Sequence, residues 1–239
     1  MIKLYLLILF FTTNGFALSS PFPSTVEGIT INNTHQVGSF NKIYRGQAPL
    51  GKIEQLSDFG ITDILIFKNQ TKNEIDREYA EITEKGLSHI QTKQIDFLWH
   101  KYPSYKEACE QLIDGLKLIK EVDSSKDRKL FLHCTVGEDR TGALSGLWRM
   151  LSQKWSMKRA FYYEMCENGY GHGNGNKPFY VYNEIRNDLT PLFIFMAKKI
   201  ETGELSLNNL TYKVCSDEIN KEETEKLKCN ISSKFPRKN

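Results

Sequence analysis

The stretch that most constrains the fold of this 239-residue chain runs from Lys129 to Ser152, where an apolar run, a compact turn and an amphipathic segment follow one another without a linker. Lys129-Leu130-Phe131-Leu132 reads as a buried strand, and Thr141 to Ser152 carries Leu144, Leu147, Trp148 and Leu151 at helical spacing on one face. Between them lies HCTVGEDRTG, His133 to Gly142, in which five residues separate a cysteine from an arginine. A strand, a tight loop and a helix in this order let the loop's backbone N–H groups converge at a helix N-terminus. There the unsatisfied donors and the macrodipole favour an anion. The segment therefore predicts a phosphate-sized cradle with a thiol at its base.

The residue types fit phosphoryl chemistry. Transfer from a monoester passes through a loose transition state with charge spread over three equatorial oxygens, so the protein chiefly positions groups and stabilises that charge. Arg140 can hold two of these oxygens through its planar fork, which a lysine cannot do. Cys134 is placed as the nucleophile, and the N–H groups that bind phosphate also favour its thiolate. His133 and Thr141 are read as orienting the loop and the sulfur. Thr135, Val136, Gly137, Glu138 and Asp139 complete the phosphate-binding loop.

HCTVGEDRTG resembles the P-loop of the cysteine-dependent protein tyrosine phosphatase superfamily, with its HC-x-x-G-x-x-R signature followed by Ser or Thr, and specifically its dual-specificity branch. Upstream, Ile43 to Pro49 (IYRGQAP), then Leu56, Phe59-Gly60-Ile61 and Asp63 to Ile66, is similar to the opening motif of compact bacterial, plant and fungal members. The resemblance spans roughly residues 35–200. Low-molecular-weight phosphatases and arsenate reductases carry such a loop near the N-terminus, and a mid-chain cysteine disfavours both.

A departing alkoxide or phenoxide needs a proton, so a neutral carboxylic acid is expected near the loop. Asp96 is the candidate. It follows a predicted strand (88–95) and lies 38 residues before Cys134, where the resemblance implies a general-acid loop. Asp139 is an internal competitor, since it matches the aspartate of a DRT variant of the loop found in myotubularins and some bacterial phosphoinositide-type phosphatases. Glu138 stands where those bacterial enzymes often carry lysine, which counts against their substrate preference here. Arg45, Lys68, Lys72, His100 and Lys101 are the candidate cations for substrate contact, and a slot walled by Phe97 and Trp99 would favour phosphotyrosine.

At the N-terminus, Lys3, the apolar run Leu4 to Phe11 and Gly15-Phe16-Ala17 read as a signal peptide cleaved after Ala17. Cleavage would remove 17 of 239 residues and leave 222, enough for one continuous core. A secreted or periplasmic product without stable membrane insertion is expected, and a monomer. Formal charge is +3, falling to +2 without Lys3, so the chain is no general nucleic-acid binder. Of five cysteines, Cys109 and Cys166 sit on amphipathic segments and read as core, either of them a conceivable disulfide trap for Cys134. Cys215 and Cys229 flank a charged stretch and are expected to pair with each other, as exported chains tend to pair such cysteines. Asn32, Asn69, Asn209 and Asn230 begin glycosylation sequons.

The predicted strands 42–45, 61–67, 88–95 and 129–133 alternate with helices near 50–59, 73–86, 104–122, 141–153, 157–168 and 178–200. This pattern predicts an α/β domain over 18–200 with a central, mostly parallel sheet of four to five strands covered by helices on both faces. Residues 201–239 would form an extension stapled by its own disulfide. The Gly-rich run 169–176 reads as a connector, with His172 a possible pocket neighbour. The combined reading is an exported cysteine-dependent phosphatase of the protein tyrosine or dual-specificity type that uses no metal or cofactor and hydrolyses phosphate monoesters, its partner a phosphorylated protein or a small polyphosphate. An inositol polyphosphate phosphatase is the alternative, and a pseudophosphatase that only binds phospholigands is the alternative of another class.

Overall fold

The computed structural model describes residues 26–38, 40–97, 99, 104–168, 179–216, 218–220, 227 and 229. The expected leader (1–17), the loop 169–176 with His172, and the candidate contacts His100 and Lys101 lie outside the described residues.

Five strands form one sheet: β1 (His35–Gln36), β2 (Ile43–Gln47), β3 (Asp63–Phe67), β4 (Gln91–Ile95) and β5 (Leu130–Cys134), in the spatial order β1-β2-β5-β3-β4. All neighbours are parallel except β1, which pairs antiparallel with β2. β1 is the strand the sequence did not reveal, being only two residues long.

Side-chain alternation along the central strands divides the core in two, as the twofold period of a strand requires. Leu130 and Leu132 of β5, with Leu65 and Phe67 of β3, face one layer. Phe131 of β5, with Ile64 and Ile66 of β3, faces the other. Both faces are apolar, hence the near-continuous hydrophobic runs expected of buried parallel strands.

Helices α1 (Ile53–Asp58) and α2 (Glu74–Glu84) cover the second layer, anchored by Ile53, Leu56, Ile75 and Ile82. The larger first layer is closed by α3 (Tyr105–Ser124), which buries Ala108, Cys109, Leu112, Ile113, Leu116 and Ile119 at three- and four-residue spacing. α4 (Asp139–Gln153) is buried almost all round and occupies the middle of that face. It begins two residues earlier than the sequence predicts, so Asp139 and Arg140 belong to its first turn.

The next helical region is α5 (Met157–Ala160), continuing as a π-helical segment (Phe161–Glu167). The last is α6 (Phe179–Glu184), a second π-helical segment (Ile185–Leu189) and α7 (Thr190–Glu201). Each expected single helix therefore contains a widened turn, a feature often found at functional sites.

Residues beyond 201 are joined to this same core. Leu205 is buried, and Leu207, Leu210, Val214 and Ile219 pack against the first layer. The expected Cys215–Cys229 bridge is not formed. Cys215 is bonded instead to Cys109 of α3, and Cys229 to Cys166 of the first π-helical segment, with Cα separations of 5.6 and 5.3 Å. The reason is local. The Tyr212 hydroxyl donates to Asp114 of α3 and its ring lies 3.6 Å from Lys117 Nζ, which seats the following Cys215 on that helix. Cys109 and Cys166 are thereby consumed, and neither is available to Cys134, which is the one free thiol among the described residues.

Candidate active site

β5 ends at Cys134 in the centre of the sheet, and the chain turns through residues 135–138 into α4. Gly137 makes that turn possible. Its φ is +71°, and a Cβ there would stand 2.2 Å from the backbone carbonyl carbon and oxygen of Gly46 and 2.5 Å from Gln47 N. The loop thus lies directly against the end of β2, and only a residue without a side chain fits. Gly142, within the first turn of α4, permits another close approach, since a Cβ there would fall 2.4 Å from the Glu164 carbonyl oxygen.

The thiol of Cys134 is buried. Burial pushes it up, but the Arg140 guanidinium and the hydroxyl and N–H of Thr141 favour the thiolate. They outweigh burial together with a smaller opposing push from Asp139, so the thiol is held below its ordinary value. Arg140 also donates to the Thr135 hydroxyl at 3.2 Å, closing the loop across its mouth. The face of Trp99 lies 5.4 Å from the Arg140 guanidinium carbon, which brings the segment after β4 over the cradle.

His133 is fully buried beneath the cysteine. Its Nε2 lies 3.0 Å from Glu78 Oε1 of α2, and its Nδ1 lies 3.2 Å from the Cys134 carbonyl oxygen. Burial pulls the imidazole down, yet the charge and hydrogen bond of Glu78 outweigh it and hold it above its ordinary value. The protonated ring can then donate from both nitrogens, to Glu78 and to the cysteine's own carbonyl.

Behind the loop lies a buried charge cluster that sequence reasoning did not reveal. Arg45 is fully buried in β2 and does not face a substrate, which corrects the expectation of a contact residue. It donates to the carbonyls of Gly137 at 2.5 Å, Glu138 at 3.0 Å, Asn168 at 2.8 Å and Glu164 at 3.0 Å, and to Glu164 Oε2 at 2.5 Å. Arg149 Nε reaches the other oxygen of Glu164. His35 lies 3.5 Å from the same carboxylate. Burial pushes the Glu164 carboxyl up, but Arg149 and Arg45 hold it well below the usual carboxylate range. Asn33 joins the cluster, its amide donating to the carbonyls of Gly137 at 2.6 Å and Asn168 at 3.2 Å.

The other expected residues fall as follows. Lys68 is buried at the end of β3 and ion-paired with Glu74, so the structure turns it inward and away from the role of a displayed substrate contact. Its position one residue past a fully buried strand accounts for this. Lys72 is exposed. Phe97 is wholly buried and stacked on Phe67 at 4.4 Å between centroids, so it belongs to the core and walls no slot.

Asp96 is exposed and accepts a hydrogen bond from Gln94. Ile66 is registered opposite both His133 and Gln94, so Cys134 and Asp96 emerge at the same sheet edge from strands separated by β3. Two strand spacings place their backbones roughly 10 Å apart, a gap a bound phosphate ester would bridge. Glu138 and Asp139 are both largely buried at the start of α4. Among the described residues no group of three or more His, Cys, Asp or Glu side chains is arranged to hold a metal ion.

No protein-family model matches the chain, and no curated protein matches it. Several solved phosphatase structures are similar to it. The core catalytic domain of the PP-IP phosphatase Siw14 of S. cerevisiae is 20% identical, with 61% of this chain and 81% of that one covered and a TM-score of 0.48. TpbA of P. aeruginosa, as a variant in complex with pTyr, is 15% identical over 74% of this chain and 98% of its own, with a TM-score of 0.49. PTPMT1 is 11% identical over 72% and 98% respectively, also at 0.49. At these values the chemistry of the site stands on its own geometry.

Proposed function

We propose that the protein is an exported cysteine-dependent phosphatase that hydrolyses phosphate monoesters, of the protein tyrosine or dual-specificity type. The observation that carries this reading is the buried Cys134 thiol at a strand end, held toward its thiolate by Arg140 and Thr141. The thiolate attacks phosphorus as the P–O bond to the leaving group breaks, and Asp96 gives that oxygen its proton. A cysteinyl-phosphate forms. Arg140 and the N–H groups of the loop hold the three equatorial oxygens throughout. Water then attacks phosphorus, Asp96 takes the proton, and phosphate departs from the regenerated thiolate. Four cysteines joined in two disulfides support the export reading, since such bonds persist in oxidising compartments.

The charge near the site favours a singly phosphorylated substrate over a crowded polyphosphate. Of the cations expected to line a wide pocket, Arg45 and Lys68 are committed to internal partners. Glu138 and Asp139 add negative charge beside the cradle. A phosphate-release assay in the presence of a chelator, comparing a phosphotyrosine peptide, a phosphoserine peptide and inositol hexakisphosphate, tests the proposal. Release from the phosphotyrosine peptide, lost in Cys134→Ser while phosphate binding persists, is expected. Full activity in Cys134→Ser would overturn the mechanism, and faster release from inositol hexakisphosphate would overturn the substrate reading.

A further inference from the structure

The Gly137 carbonyl accepts two side-chain donors on the side away from the cradle, Arg45 Nη2 at 2.5 Å and Asn33 Nδ2 at 2.6 Å. The Glu138 carbonyl accepts from Arg45 at 3.0 Å and from the Gly142 N–H at 2.7 Å. A trans peptide is planar, with its C=O and the following N–H pointing in opposite directions. Fixing those two oxygens rearward therefore turns the N–H groups of Glu138 and Asp139 toward the space in front of Cys134. The left-handed Gly137 permits this arrangement and does not enforce it, because glycine visits positive and negative φ with similar ease. The Gly142 N–H already holds the Glu138 carbonyl in the first turn of α4, so the peptide that most needs a further hold is that of Gly137. The only side chains that reach these oxygens among the hydrogen bonds described above are Arg45 and Asn33.

We infer that Arg45 and Asn33 are positioning residues of the phosphate site, which act from behind the loop by pinning the carbonyls of Gly137 and Glu138 so that the next two N–H groups face the phosphate. Arg45 is suited to the task by its fork, which spans the loop carbonyls and those of Glu164 and Asn168 at once. Glu164 anchors that fork from the opposite side, and Arg149 anchors Glu164 in turn. The pair thereby ties the loop to the π-helical segment. Asn33 sits on a left-handed backbone at φ +54° and is only half-buried. It can be trimmed without opening the core.

The inference rests on the phosphate-site reading above, and its test does not require turnover. Asn33→Gly removes the amide and keeps the left-handed backbone. Arg45→Lys keeps a charge but has one ammonium in place of the fork. Three measurements are made on the full chain with its disulfides intact: thermal melting, affinity for inorganic phosphate by calorimetry, and the pH profile of Cys134 alkylation by iodoacetamide. Phosphate affinity is expected to fall about threefold in Asn33→Gly and at least about tenfold in Arg45→Lys, as one neutral and several charge-assisted hydrogen bonds would give. The alkylation midpoint is expected to move upward in both. A folded Asn33→Gly with wild-type phosphate affinity and alkylation profile overturns the inference, whatever Arg45→Lys does. So does loss of folding in Asn33→Gly, which would make the residue an anchor of the fold and not of the site. If the wild-type chain binds phosphate but releases none from any ester, the catalytic proposal fails while this one stands.

Discussion

Replacing Gly137 by alanine tests the architecture of the loop most directly, because two separate costs can be worked out for it. The first is conformational. A side chain at φ +71° costs roughly 1–2 kcal/mol. The second is steric. The new Cβ would meet backbone atoms of Gly46 and Gln47 at 2.2–2.5 Å, more than 1 Å inside ordinary contact, and no rotamer change can relieve it. Overpacking of this kind costs roughly 1–3 kcal/mol. The sum of roughly 2–5 kcal/mol corresponds to a melting shift of about 4 to 20 °C in a chain of this size. Relief must come by moving the loop off β2, and a displacement near 1 Å at reacting groups can cost roughly 100-fold in rate.

Gly203 supplies the control, since it has φ +79° and open space around its missing side chain. Gly203→Ala should carry the conformational cost alone and leave kcat/KM unchanged. Thermal melts and hydrolysis of an aryl phosphate, run on both variants, separate the two costs. Equal melting losses with unchanged activity in Gly137→Ala would refute the reasoning, since the loop would then have room the structure does not show.

Other expectations concern the partners of the loop. Asp96→Asn should lower the rate roughly 100-fold or more for alkyl phosphates and little for activated aryl phosphates, read from a series of leaving groups; a drop confined instead to Asp139→Asn would move the acid into the loop. His133 is held above its ordinary value by Glu78, so its contribution to stability is complete below about pH 6.5 and is lost as pH rises through the raised value. Melts in wild type should therefore decline across that window, and Glu78→Gln should flatten the decline. The two disulfides close separations of 106 and 63 residues, for which chain entropy gives roughly 5 and 4 kcal/mol respectively. Urea melts with and without a reductant should differ accordingly, and a reduced protein of unchanged midpoint would show that the bonds are not formed.

The parallel sheet was legible in the sequence because buried parallel strands announce themselves as apolar runs, and Ile64 to Phe67 and Leu130 to Leu132 are such runs. Cys134 and Arg140 could be singled out as a candidate pair because their spacing is local. What failed to show was long-range. Arg45 resembles a surface charge when read along the chain, although a lone cation in a central strand, flanked by Tyr44 and a glycine, was the available signal. Glu164 gave a similar hint, standing alone between Tyr163 and Met165. Glu78 gave none, since an acidic residue on an amphipathic helix is ordinary. The cysteine pairing was misread because nearness in sequence says little once a tail crosses a helical face. The contacts of Tyr212 with Asp114 and Lys117 of α3 bring Cys215 to its partner Cys109.

The bonding of four cysteines bears on how the remaining one would age. A low-lying thiolate is oxidised first to a sulfenic acid, and the usual rescue is condensation with a neighbouring thiol. Here every other cysteine sulfur is already spent in a cross-link. The oxidised Cys134 has no partner thiol within the chain, so only a sulfenamide with a backbone nitrogen or a thiol supplied from outside can stop it short of sulfinic acid, and recovery from peroxide should depend on added thiol.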